Sequence, residues 1–173
     1  MPFSRACQIL VLSEDVMTYG RAMYVCQRIL AQFAFEVNFN FRCWDFQHQN
    51  DAQSIESTVE IASNADIILL SLGGVELNHS LNQWLQAFSE TRSKTEGAFV
   101  LILGMEAGPA WAIQKIANQI QAVSGLVGMD FVPLIPTVKA EVTLPPQRET
   151  WPRGTGVRLN NERPNYDHWG LNE

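Results

Sequence analysis

Ile9-Leu10-Val11-Leu12-Ser13-Glu14-Asp15 decides the reading of this chain: four consecutive aliphatic residues stop at a serine and two carboxylates. An unbroken apolar run bounded by polar residues is the texture of a strand covered on both faces. Behind it, Ala22, Cys26, Ile29 and Phe33, with Met23 and Leu30 beside them, recur at intervals of three and four. That spacing predicts a helix with one buried stripe, starting near Asp15 or Thr18. Strand, polar turn and amphipathic helix together make one βα unit, and the chain repeats it.

Phe35 to Trp44 alternates apolar and polar residues, which predicts a strand wet on one face. Asn50 and Gln53 have capping-box spacing ahead of a helix with Ile55, Val59 and Ala62 inward. Ile67-Ile68-Leu69-Leu70 is a second unbroken strand, and Ser80 with Gln83 is placed to cap a helix facing Leu77, Leu81, Trp84, Leu85 and Phe88 inward. Phe99 to Leu103 is a third apolar run. The last helix presents Ile113, Ile116, Ala117, Ile120 and Val123, with Gly125 as its expected C-terminal cap. Phe131 to Ile135 closes the series and contains Pro133, which cannot donate to a ladder and belongs at an edge. Continuous runs go to the centre of a sheet, the alternating strand and the proline strand to its rims. The expected fold is a three-layer α/β/α sandwich with a five-stranded parallel sheet of order 2-1-3-4-5, the flavodoxin-like arrangement.

The chain has 173 residues, 46% of them hydrophobic, which suits one substantial core. The expected division is an α/β domain over 1–136 and an arm over 137–173. In the arm, Pro145-Pro146, Pro152, Gly154, Gly156 and Pro164 oppose regular structure while Trp151 and Trp169 offer anchors. The arm is expected to dock on its own domain or on a neighbouring subunit.

No apolar run reaches the roughly 18 residues of a membrane span, and the opening Met1-Pro2-Phe3-Ser4-Arg5-Ala6 reads as neither signal peptide nor anchor. Cys7, Cys26 and Cys43 show no CxxC spacing, so a reduced, cytoplasmic setting is expected, with Cys26 and Cys43 as buried packing thiols. The net charge of −6 lies in the body: residues 1–136 hold seven Lys/Arg against thirteen Asp/Glu. An acidic body repels phosphate backbones, which argues against nucleic acid as a partner. Arg148, Arg153, Arg158 and Arg163 recur every fifth residue in the arm, a spacing of charges along an extended segment.

In a sheet of this order, ligands bind beyond the carboxyl ends of the strands. That rule selects Ser13, Glu14 and Asp15 after the first strand, and Asp45 and His48 after the second. It also selects Ser71, Gly73 and Gly74 after the third, Gly104 and Glu106 after the fourth, and Pro136 and Thr137 after the fifth.

The segments Ile9 to Asp15, Asp66 to Ser71 and Asp130 to Pro136 resemble the first, third and fifth strands of a response-regulator receiver domain, over roughly residues 7–136. The resemblance implies an acidic pair, Glu14 and Asp15, able to help hold Mg²⁺. It departs from the family pattern where chemistry is needed. Ser71 stands in place of the phosphoacceptor aspartate, Ile135 in place of the lysine and Gly104 in place of the Ser/Thr after the fourth strand. Aspartyl phosphorylation needs a carboxylate nucleophile, a metal and a cation. Two carboxylates without a third oxygen donor make a weak metal site, and both residues equally suit the start of a helix. The ending His168-Trp169-Gly170-Leu171-Asn172-Glu173 also resembles that of an uncharacterised group of bacterial proteins.

These features favour a receiver-like signalling or protein-interaction module without phosphotransfer, catalytic residues or cofactor. Its partner would be a protein, with a second copy of the chain among the candidates and Trp111 and the arm as contact surfaces. The alternative is a flavodoxin-like binder of flavin or nucleotide, or an enzyme using one. Against it, the loop Ser13 to Thr18 sets two negative charges where such proteins offer amides to phosphate. A serine hydrolase built on Ser71 and His79 lacks the nucleophile elbow. A zinc site from His48, His79, His168 and Cys43 lacks ligand spacing.

Overall fold

The first apolar run forms strand β1 (Cys7–Ser13), and the chain then alternates without exception: α1 (Val16–Phe33), β2 (Phe39–Asp45), α2 (Ala52–Asn64), β3 (Ile67–Leu72), α3 (His79–Thr91), β4 (Ala98–Leu103), α4 (Ala110–Leu126) and β5 (Asp130–Leu134). The computed structural model describes residues 5–135 except 34 and 105. The expectations for Pro136, Thr137, the arm over 137–173 and its ending lie outside these residues.

All strand pairs are parallel and the order is β2-β1-β3-β4-β5, as the run textures require. Pro133 sits on edge strand β5, opposite Leu101, where its missing N–H costs no inner ladder bond. Side chains alternate between two cores. Leu10, Leu12, Ile68, Leu70, Phe99 and Leu101 pack against α2, α3 and α4 on one face, while Ile9, Val11, Leu69, Val100 and Ile102 meet Ala22 and Cys26 of α1 on the other. Because every central strand is covered on both sides, it has no position for a polar residue until its end. This is the three-layer flavodoxin-like fold.

Trp84 and Phe88 of α3 are fully buried and stacked at 5.0 Å, with Phe99 of β4 next to Phe88. Fully burying each such side chain stabilises by about 1.5–3 kcal/mol. Arg92, directly after α3, turns its guanidinium inward beneath the end of α2. It donates to the carbonyls of Ala62, Ala65, Lys94 and Glu96 and lies 5.7 Å from the Phe88 ring centre. At the amino end of the sheet, Asp66 accepts the Gln8 N–H at 2.7 Å and pairs with Lys94.

Local details depart from the sequence expectations in four places. The alternation from Phe35 does not pair until Phe39, because β1 itself begins opposite Phe39 at Cys7, and Phe35 is fully exposed. The caps of α2 and α3 are Asp51 and Asn78, each accepting the N–H three residues on, rather than Asn50 and Ser80. Helix α4 runs through Gly125 and ends in a Schellman motif at Gly128, whose φ is +70°. There the Met129 N–H reaches the Ser124 carbonyl and the Gly128 N–H that of Gly125. Finally, Cys43 is exposed near the carboxyl end of edge strand β2, which has no neighbouring strand on its outer side, whereas Cys26 is buried and its thiol is pushed up to about 11 by that burial.

Candidate functional site

The carboxyl ends of β1 and β3 meet in register, Ser13 beside Ser71, and both serines are buried. Alternation turns them toward the α1 face, where the aliphatic core gives way to the polar rim. Ser71 is wholly enclosed and its Oγ has no hydrogen-bond partner among the described residues.

Above them, the loop entering α1 is closed by its own side chains. Asp15 caps the helix, its Oδ1 accepting the Thr18 N–H at 2.8 Å. Thr18 Oγ1 accepts the N–H groups of both Glu14 and Asp15 at 2.9 Å and donates to the Asp15 carbonyl. Glu14 reaches across to β3, and its Oε2 accepts the Gly73 N–H at 2.7 Å. Burial holds the Glu14 carboxyl above its usual range, opposed by the Gly73 N–H and reinforced by the neighbouring charge of Asp15. Asp15 is held below its usual range, first by the Thr18 N–H and with a contribution from Arg21.

Arg21 is the residue that sequence reading missed. From the first turns of α1 it extends over Gly104 at the end of β4 and pairs with Glu106. A Cβ on Gly104 would collide with this guanidinium and with the Glu106 carboxylate, so glycine is what admits the pair. The rim therefore does contain a cation, contrary to the expectation drawn from Ile135, which packs at the edge of the main core instead. Nη1 of Arg21 is buried and has no acceptor among the described residues. The available signal was position: Arg21 adjoins Ala22 on the buried side of the helical stripe.

The remaining predicted residues gather on the other side of β1. Ser13, Asp15, Asp45 and His48 line a cleft of about 360 Å³ together with Tyr19 and Trp44. His48 Nδ1 lies 2.7 Å from Asp45 Oδ2, and Asp45 Oδ1 accepts the Gln47 N–H. Burial pushes the Asp45 carboxyl up, but the bonds from His48 and Gln47 outweigh it and leave it below its usual range. Gly74 has open space around it. Thus Glu14, Gly73 and Ser71 form one cluster, Gly104, Glu106 and Arg21 a second, and Asp45 with His48 a third.

Among the described residues no group of three or more His, Cys, Asp or Glu is placed to hold a metal ion. Glu14 and Asp15 spend oxygens on Gly73 and Thr18 respectively. No helix of the described residues is long and apolar enough to cross a membrane.

No family profile matches the chain, and no curated protein matches it in sequence. Solved structures do share the fold. An NADH:FMN oxidoreductase in its apo form is 12% identical over 75% of this chain and 75% of its own, with a TM-score of 0.52. The flavodoxin-like domain of a Synechococcus sp. protein is 15% identical over 75% of this chain and 85% of its own, with a TM-score of 0.47. At 12% identity the likeness to the oxidoreductase is one of fold alone.

Proposed function

We propose that this domain is a receiver-like signalling module that acts through protein contacts and carries out no phosphotransfer. One observation carries the reading: four backbone N–H groups at the sheet's carboxyl rim, those of Glu14, Asp15, Thr18 and Gly73, are all taken by oxygens of the chain itself. Phosphate cradles work by presenting such amides unpaired at a helix N-terminus. Here an incoming phosphate would have to displace Thr18 and two carboxylates, and would meet their negative charge. Arg21 is paired with Glu106 through Nη2, while its Nη1 has no acceptor among the described residues.

The same observation weighs against flavin, the ligand named for the oxidoreductase that shares this fold. Ser71, enclosed and with no hydrogen-bond partner among the described residues, is unsuited to nucleophilic work. Support for a contact role comes from Trp111 in the first turn of α4, which is 72% exposed. Tryptophan is among the residues that most often anchor protein interfaces.

The test is direct. Protein incubated with acetyl phosphate and Mg²⁺ should show no phosphoryl mass increment, and titration with FMN should leave flavin fluorescence unquenched. A stable phosphoryl adduct, or saturable flavin binding, overturns the proposal.

A further inference from the structure

A trough of about 650 Å³ runs between α2 and α3 on the face away from the sheet. Helix α2 contributes residues at intervals of three and four along its whole length, and α3 does the same, so the trough follows both axes. Ile55, Val59 and Ala87 form an apolar floor, and Glu56, Glu60 and Glu90 stand exposed along its sides. No lysine or arginine among the described residues lines it. Among the described residues the ion pairs are Arg21–Glu106, His48–Asp45 and Lys94–Asp66, so these three glutamates have no cationic partner there. Arg92, beneath the end of α2, is committed to four backbone carbonyls.

We propose that this trough is a docking groove for a basic amphipathic helix of a partner protein. Apolar residues of the incoming helix at i, i+3, i+4 and i+7 would fill the floor, and flanking arginines or lysines would meet the three carboxylates. The 13 residues of α2 span roughly 20 Å, which accommodates three to four turns of a third helix laid into the ridge pattern of the pair. An acidic border repels nucleic acid and anionic membrane surfaces while favouring a cationic peptide. The inference goes beyond the reading of the rim and does not depend on it, because the groove shares no residue with the rim clusters.

The probe is a fluorescein-labelled peptide of about four helical turns with one leucine stripe flanked by arginines. Binding is followed by anisotropy, with amide chemical shifts to locate it. The full chain should bind saturably, with shift changes confined to α2 and α3. The triple variant Glu56→Gln, Glu60→Gln, Glu90→Gln should bind about tenfold or more weakly. The variant Glu36→Gln, Glu76→Gln, Glu96→Gln changes net charge equally but away from the groove and should bind like the parent. All six positions are exposed, so folding is preserved, as circular dichroism would verify. The proposal is overturned if the parent shows no saturable binding, if both triple variants weaken equally, or if a scrambled peptide of the same composition binds as well.

Discussion

The Glu14 carboxylate bridges the two central strands by accepting the Gly73 N–H at 2.7 Å, half-buried at the carboxyl ends of β1 and β3. Burial makes its charge unfavourable. A carboxyl whose pKa is raised on folding binds its proton more tightly in the native state. Its contribution to stability is therefore lost as pH rises from the ordinary carboxylate range through the raised value. Glu14→Gln keeps an acceptor for Gly73 and removes the charge. It should be more stable than the parent near neutral pH, with the gain shrinking as the pH falls through the raised value to the ordinary carboxylate range. Glu14→Ala should instead lose about 1 kcal/mol through the abandoned N–H. Denaturant midpoints at two pH values check both, and a Gln variant weaker than the parent at neutral pH would contradict the account.

Ser71 stands at the end of β3, and its hydroxyl is enclosed without a partner among the described residues. A buried unsatisfied hydroxyl costs about 1–3 kcal/mol, so Ser71→Ala should be at least as stable as the parent and gain up to about 1 kcal/mol. Ser71→Asp places a carboxylate in the same enclosure, beside Ser13 and Ile102, and should lose several kcal/mol without acquiring phosphoryl label. Thermal melts of the two variants decide. A marked loss in Ser71→Ala would mean that the hydroxyl has a partner that this account lacks.

Arg92 joins three elements through one guanidinium: the end of α2, the end of α3 and the loop into β4. Removing it strands several buried carbonyls at once, and Arg92→Ala should cost about 3–5 kcal/mol. Arg92→Lys retains the charge but cannot reproduce the planar fork, and should recover less than half of that loss. Burial depresses the guanidinium pKa, yet it stays protonated at all working pH values, so the loss should be independent of pH between about 5 and 9. Equal stability of the Lys variant and the parent would contradict the forked arrangement.

The strand order was legible because burial on both faces leaves a visible mark: Ile9 to Leu12, Ile67 to Leu70 and Phe99 to Leu103 contain no polar residue, and Pro133 marks an edge. The rim was legible as a set of residue types. Its pairings were not, because the oxygen that the Gly73 N–H meets depends on the register of β1 against β3. Arg21 was hidden for a related reason. A cation in an amphipathic helix ordinarily lies on the solvated face, and only the assembled sheet brings Gly104 beneath it. The α2 and α3 caps were misplaced by one and two residues, since Asn50 and Ser80 offer the same chemistry as Asp51 and Asn78 at neighbouring positions.

The end of α4 distinguishes two glycines that look alike in sequence. Gly125 lies inside the helix with open space around it, so it contributes only backbone freedom that folding must remove. Gly125→Ala should therefore stabilise by about 0.5–1 kcal/mol. Gly128 has φ +70°, and a Cβ there would stand 3.2 Å from backbone atoms of Thr95, which have no rotamer by which to give way. Gly128→Ala should destabilise by about 1–2 kcal/mol through left-handed strain and crowding together. Gly128→Asn should lose less of this, because asparagine tolerates the left-handed region better. Chemical denaturation of the three variants checks the order Gly125→Ala, parent, Gly128→Asn, Gly128→Ala from most to least stable. If alanine were tolerated better at 128 than at 125, the helix would have to end where the sequence alone suggested, and the Schellman bonds of Gly128 and Met129 would not be the stop signal.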